Sequence, residues 1–336
     1  MTPLGRRTRR GRVEHPRLET RVGDVVLANP VMTASGTSGY GAELAGYVDL
    51  ASLGAVVVKS LSAKPWQGNP PPRVIGTDSG MLNSVGLDNP GMAEWLTRYL
   101  PSLAATGAAV VASVWGFSVG DYKEVASQLR SAVVAGQAPR VVAVEVNISC
   151  PNVEDRRRMF AHSCEGVAAA IGATADGLQG ALPIWAKLSP NVTDVTSMAA
   201  AASASGAAAV TLINTLMGLA LDPATGRRRL GGGGGGLSGP AIHPVAVRAV
   251  YDCRAAWPEL PIVGVGGVAS AAGAAELICA GADAVQVGTA TFADPKAPGR
   301  ILAELLSWAD AHDITDIQEL KGKAHDCDGA SESRSS

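Results

Sequence analysis

Eight apolar runs of strand length recur along this chain, at residues 31–35, 55–60, 108–114, 141–148, 184–188, 208–214, 261–266 and 284–288. Each is continuous rather than alternating. A strand that faces water on one side alternates polar and apolar residues, whereas a continuous run marks a strand buried on both faces, as in parallel sheets covered by helices. Most intervals between the runs carry an amphipathic pattern, for example 122–135, 195–205, 244–257 and 271–280. Gly54, Gly107, Pro183, Gly206, Pro261 and Gly281 punctuate the joins. Eight buried strands alternating with helices predict an α/β fold, the TIM (β/α)8 barrel. The length of 336 residues accommodates it, since such a barrel needs roughly 250 residues.

Two short segments, 18–22 and 25–27, precede the first run and are joined by Gly23-Asp24. They predict a β-hairpin closing the bottom of the barrel. Residues 62–90 are too long for a plain strand-to-helix connection and are rich in Pro, Gly and Asn, which predicts a functional loop inserted after the second strand. The expected organisation is a basic disordered tail over 1–17, one catalytic barrel domain over 18–320 and a polar disordered tail over 321–336. Arg6, Arg7, Arg9, Arg10 and Arg12 crowd the start, but no apolar stretch follows them as in a secretory signal. The formal net charge of -2 gives no global attraction to nucleic acid or anionic membrane. No apolar run reaches the ~18 residues of a membrane-spanning helix. The five cysteines are odd in number and none form a C-x-x-C pair. That pattern fits neither a disulfide framework nor a zinc or iron–sulfur site, and implies a reducing compartment, the cytoplasm.

In such a barrel the chemistry sits at the C-terminal ends of the strands. Here the runs end in Ser35-Gly36, Lys59-Ser60, Ser113, Asn147 to Cys150, Lys187, Asn214-Thr215, Gly266-Gly267 and Gly288-Thr289. Nearly all are polar or glycine. Lys59 and Lys187 each close an apolar run, and a lysine in a barrel mouth is costly unless something anionic meets it. The bland alternatives are snorkelling to solvent or pairing with a carboxylate; the functional one is a bound phosphate, carboxylate or electron-rich ring. Gly266-Gly267 and Gly288-Thr289 follow the last two strands, where this fold often binds phosphate, although ordinary tight turns read the same way. The glycine run 231–236 reads either as a flexible linker or as backbone approaching a planar ligand. Cys150 lies on a polar loop at the catalytic face, which favours a reactive thiol over an inert buried one. No histidine stands at a strand end to support a Cys–His hydrolase, and Cys164, Cys253 and Cys279 fall in helical stretches as structural residues.

Six motifs then occur: Gly-Asn-Pro-Pro-Pro-Arg (68–73), Gly-Met-Leu-Asn-Ser-Val-Gly-Leu-Asp-Asn-Pro-Gly (80–91), Asn-Ile-Ser-Cys-Pro-Asn (147–152), Lys-Leu-Ser-Pro-Asn-Val (187–192), Ile-Asn-Thr (213–215) and Gly-Leu-Ser-Gly-Pro-Ala-Ile (236–242). Together they resemble the class 1 dihydroorotate dehydrogenases, most of all the catalytic subunit of class 1B, over roughly residues 18–312. The resemblance implies an FMN site made by Ser35, Lys59, Ser60, Ser113, Asn147, Lys187, Ile213, Gly239, Gly266, Gly267, Gly288 and Thr289. It implies a dihydroorotate or orotate site made by Lys59, Asn83, Ser84, Val85, Gly86, Leu87, Asn147, Asn214 and Thr215. Asparagine offers both donors and acceptors, which suits a pyrimidine ring of alternating N–H and C=O groups. By the same resemblance Cys150, as thiolate, takes the C5 proton while C6 gives hydride to flavin N5. Lys187 then stabilises the anionic reduced flavin.

The chain departs from the family at two places. Ser113 stands where class 1B members usually carry asparagine. The loop after Cys150 reads Glu154-Asp155-Arg156-Arg157-Arg158-Met159-Phe160 where glycines are usual; it is either a solvated charge run or a change to loop closure and substrate choice. The competing readings are a related FMN barrel acting on another pyrimidine-like ring, and a flavin-binding scaffold without catalysis. The 1B resemblance implies a homodimer of this chain within a heterotetramer whose second subunit carries FAD and a [2Fe–2S] cluster and passes electrons to NAD. The rival is a chain acting alone on fumarate. No G-x-G-x-x-G follows a strand and opens a helix as a second nucleotide domain requires.

Overall fold

The computed structural model describes residues 17–149 and 160–326. In chain order its strands are β1 (Thr20–Val22), β2 (Val25–Leu27), β3 (Val31–Thr33), β4 (Val56–Val57), β5 (Val74–Thr77), β6 (Gly80–Asn83), β7 (Val110–Val114), β8 (Val141–Asn147), β9 (Ile184–Leu188), β10 (Ala209–Leu212), β11 (Leu216–Gly218), β12 (Gly235–Ser238), β13 (Ile262–Val265) and β14 (Ala284–Val287). Eight of them form one parallel sheet in the order β3-β14-β13-β10-β9-β8-β7-β4. A parallel bridge between Met32 and Ala55 joins its two ends, so the sheet closes into the expected barrel. Each of the eight apolar runs holds one barrel strand.

The helices form where local sequence favours them. The helix Ala271–Ala280 coincides with its predicted span, and Val195–Ala204 ends one residue short of its own. The helix Val119–Val134 starts earlier than the periodicity suggests, because Ser118 and Asp121 form a capping box: each side chain accepts from the other's backbone N–H.

Side chains along each strand alternate between the barrel interior and the surrounding helices. The lower interior is apolar: Met32, Ala55, Val57, Val111, Ala143, Trp185, Ala209, Val263 and Ala284 pack together. The β1–β2 hairpin plugs that end with Val22, Val25 and Leu27, as the sequence implied. Two residues further along the strands the interior turns polar, at Ser113, Glu145, Lys187 and Gln286, all buried.

The end of the chain extends the domain further than its polarity suggests. Lys321 pairs with the buried Asp283, and a short helix, Lys323–Asp326, follows. His325 stacks on Tyr251 at 4.1 Å between ring centroids. Residues 321–326 are therefore part of the packed unit rather than a free tail, since buried carboxylate and aromatic surface anchor them.

The excursion 62–90 and the glycine run build a second sheet, in the order β11-β12-β6-β5, antiparallel throughout. The glycine run is thus neither a linker nor an approach to a ligand alone; part of it is strand β12. A Cβ on Gly235 would lie 2.4 Å from the Asn83 carbonyl oxygen, and one on Gly236 would lie 2.0 Å from Thr215 Oγ1. The chain itself comes too close for any side chain. Because the obstacle at Gly235 is backbone, Gly235→Ala is expected to cost about 1–3 kcal/mol, as overpacked sites do. Denaturant unfolding measures it; an unchanged midpoint contradicts the packing described.

Candidate active site

At the C-terminal ends of the barrel strands lies a cavity of about 1010 Å³. It stands at the upper end of the roughly 300–1,000 Å³ of ligand sites. Its wall collects residues from seven strand ends and from the second sheet. Ser35, Lys59, Ser60, Asn147, Lys187, Ile213, Gly239, Gly266, Gly267, Gly288 and Thr289 all line it, as do Asn83, Ser84, Val85, Gly86, Leu87, Asn214 and Thr215. Ser113 stands one step behind the wall: its buried hydroxyl is 2.9 Å from Ser60 Oγ and accepts from Ser35 Oγ at 3.1 Å. Cys150 and the charged residues 154–158 lie outside the described residues.

The floor is a chain of hydrogen bonds crossing the barrel. Asn214 Nδ2 donates to Asn147 Oδ1 at 3.1 Å, and Asn147 Nδ2 donates to Ser60 Oγ at 3.3 Å. From Ser60 the chain continues into the three-serine triangle with Ser35 and Ser113. The network therefore runs through five strand ends, and low local dielectric makes such linked bonds mutually reinforcing. Ser149 also lines the cavity, and its buried hydroxyl has no partner among the described residues. A buried polar atom without a partner is costly, and a bound ligand relieves that cost.

Both lysines expected to need an anion have a carboxylate of the protein's own. Lys187 Nζ is 3.2 Å from Glu145 Oε1, with side chains 7% and 0% exposed. Lys59 Nζ is 3.7 Å from Asp88 Oδ2, and it lies 5.0 Å from the centroid of the Tyr40 ring. Burial lowers the Lys59 pKa from its ordinary value, and the Asp88 carboxylate opposes that shift. Asp88 also pairs with Arg73 at 3.4 Å, and Arg73 Nε donates to the Asn69 carbonyl at 2.6 Å. Asn69 in turn donates to Ser84 Oγ at 2.9 Å, so this network braces the 83–87 loop against the wall.

On the opposite side, Thr289 Oγ1 donates to Ser238 Oγ at 2.7 Å. His243 Nδ1 lies 2.7 Å from the Gly266 carbonyl oxygen. Gly267 has φ of +69°, and a Cβ there would meet His243 Cβ at 2.6 Å. Only glycine lets this turn and that helix start come so close.

Four features escaped the sequence reading. His162 lines the cavity although no histidine ends a strand. Trp66 and Phe117 form an apolar part of the wall, edge to face at 5.0 Å. Asn191 donates to the Thr215 carbonyl at 3.0 Å and accepts from Met217 N at 2.8 Å, which fixes the start of β11. Glu145 and Gln286 sit beneath Lys187. The last two had a readable signal: a charged or amide residue inside an apolar run, in phase with the strand-end residue two positions on. Of the three described cysteines, Cys253 is fully buried, and burial pushes its thiol up to about 12; Cys164 and Cys279 are partly exposed.

The dihydroorotate dehydrogenase family model matches residues 17–308. The chain is 45% identical to a protein of Desulforudis audaxviator named dihydroorotate dehydrogenase B (NAD(+)), catalytic subunit, over 90% of this chain and 96% of that one. It is 44% identical to the protein of the same name from Trichlorobacter lovleyi, over 91% and 98% of the two chains. It is also 44% identical, over 91% and 98%, to a Solibacter usitatus protein named putative dihydroorotate dehydrogenase A (fumarate). Barrel, cavity and extent of similarity coincide over the same residues: the chain belongs to the dihydroorotate dehydrogenase family.

Proposed function

We propose that this chain oxidises (S)-dihydroorotate to orotate in pyrimidine biosynthesis, with FMN as the flavin in the cavity and with electrons leaving to NAD through a partner subunit. The observation that carries the reading is the cavity wall itself. Three asparagines, 83, 147 and 214, and two lysines, 59 and 187, face one space from separate strands and from the second sheet. The residues suit a flavin mononucleotide. Cationic Lys187 answers an electron-rich ring, the unpartnered Ser149 hydroxyl has a polar group to meet, and the Gly266-Gly267 and Gly288-Thr289 turns lie where this fold binds phosphate.

When bound, the flavin supplies the two-electron acceptor for the hydrogen leaving C6. The protein's part is position and proton transfer. The asparagines read the N–H and C=O edges of the pyrimidine ring; Asn147 and Asn214 are oriented beforehand by their chain to Ser60, and Asn83 by donating to the Gly236 carbonyl. Lys59 takes the substrate carboxylate; burial strengthens that contact relative to water. Cys150, the residue that follows Ser149 in the chain, removes the C5 proton, so that the C5–C6 double bond forms as the second hydrogen departs.

One barrel occupies nearly all of the described chain, and no second nucleotide unit stands beside it among the described residues. Relatives named as NAD-linked catalytic subunits support a partner subunit; the assembly proposed is a homodimer of this chain joined to an FAD and [2Fe–2S] subunit in a cytoplasmic heterotetramer. No helix of the described residues is long and apolar enough to cross a membrane. The relative named for fumarate keeps a second acceptor in view.

The purified chain should be yellow and should bleach anaerobically on adding dihydroorotate. It should reduce artificial dyes but show negligible NAD reduction alone. Yellow protein that does not bleach points to another ring as substrate. Robust NAD reduction by the pure chain refutes the partner, and efficient fumarate reduction moves the chain to the other acceptor class.

A further inference from the structure

Lys187 is held from behind by two side chains that no ligand contact explains. Glu145 and Gln286 are 0% exposed, and neither lines the cavity. They come from β8 and β14, while Lys187 comes from β9. Glu145 Oε1 accepts from Lys187 Nζ at 3.2 Å, and Gln286 Oε1 accepts from the same ammonium at 3.3 Å. Gln286 Nε2 donates to Glu145 Oε2 at 2.6 Å, which closes the ring. The amide thus has a forced orientation, with its carbonyl toward the cation and its NH2 toward the anion.

Stability is a poor reason for this arrangement. A buried ion pair is often no more stabilising than apolar residues of the same volume. The layer immediately below is apolar, so the barrel could have continued so. A better reason is the donor that Lys187 keeps beyond its two bonds among the described residues. An ammonium has three N–H groups; two are accounted for, and Lys187 stands at the cavity wall. Two fixed acceptors on one side determine both where the nitrogen lies and how it is rotated. In a low-dielectric site a charge held in place acts without reorganisation cost.

We propose that Glu145 and Gln286 are positioning residues that act through Lys187, fixing its ammonium so that the remaining N–H is kept for the bound flavin. This rests on the FMN reading above. The site then offers an oriented pair, cation toward the cavity and carboxylate behind it, which favours the electron-rich reduced ring over the oxidised one.

Gln286→Met keeps volume and net charge while removing the amide's two bonds, the one from Lys187 and the one to Glu145. It should weaken FMN binding roughly 10–100-fold, the range seen when groups that orient ligand-holding residues are removed. It should also move the flavin midpoint potential to more negative values. In a Lys187→Met background the same change should leave the potential where Lys187→Met alone puts it, since there is no ammonium left to orient. The exchange Glu145→Gln with Gln286→Glu keeps one carboxylate, one amide and one ammonium in the ring, and should recover wild-type potential and affinity. FMN uptake by the wild-type protein is the control; without it the functional reading fails first. Given uptake, three results overturn the inference: a Gln286→Met protein with wild-type affinity and potential, an equal shift in the Lys187→Met background, or an exchange variant that folds with an altered potential.

Discussion

Cys150→Ala should keep its flavin and lose flavin reduction by dihydroorotate by on the order of 10²–10⁴-fold, the usual contribution of a positioned general base. The expectation follows from what the residues just before Cys150 line. Asn147 ends β8 in the cavity floor, bonded to both Asn214 and Ser60, and Ser149 lines the same cavity two residues on. The next residue in the chain is the cysteine of Asn-Ile-Ser-Cys-Pro-Asn. None of the flavin-facing residues is altered by the change, so binding of the oxidised cofactor should be untouched. The loss should fall on the reductive half-reaction, read by anaerobic stopped flow at 450 nm or thereabouts. A thiolate is the reactive form of a cysteine, and the variant has none to offer at this position. Near-normal reduction by Cys150→Ala at neutral pH removes the cysteine from the mechanism.

Lys187→Met should have the largest effect on the protein as a whole, because it acts on fold and site together. Among the described residues Lys187 is the only cation bonded to Glu145, and both are buried. Removing one partner of a buried pair leaves an uncompensated charge, at a cost of about 3–5 kcal/mol. The apo protein should thus melt well below wild type, and FMN should bind more weakly, with saturating cofactor needed to load it. The two losses can be separated. Adding Glu145→Gln removes the stranded carboxylate, so the double variant should regain much of the lost stability. It should not regain FMN affinity, since the cation remains absent. A Lys187→Met protein that melts with wild type and turns over normally removes Lys187 from the binding of the flavin and undoes the account of the site.

The barrel was legible in the sequence because its signals are local. A continuous apolar run such as 184–188 reports burial on both faces regardless of its neighbours, and β9 occupies that run in full. The placement of Lys59, Asn147, Lys187 and Asn214 at strand ends followed from the same periodicity, and the structure brings all four to one cavity. The second sheet was not legible. β6 and β12 pair across some 150 residues, with Asn83 opposite Gly236, and a glycine run carries no periodicity from which to infer a strand. Its short strands are specified by backbone pairing and close approach, not by apolar pattern.

What the chain determines alone is therefore the barrel, its hairpin plug, and the set of polar residues at the catalytic end. Each of these follows from the order of residues within a single strand or turn. Only the tertiary structure decided what those residues meet. Lys187, Glu145 and Gln286 lie 42, 99 and 141 positions apart in pairs and touch at a single point. The likeliest anion for Lys187, judged from the sequence, was a ligand; the fold supplies a carboxylate from the adjacent strand. The physical reason is that burial makes an ion's partner decisive, while the partner's identity depends on barrel register. Register is set by the closure of the whole sheet, which no local stretch encodes.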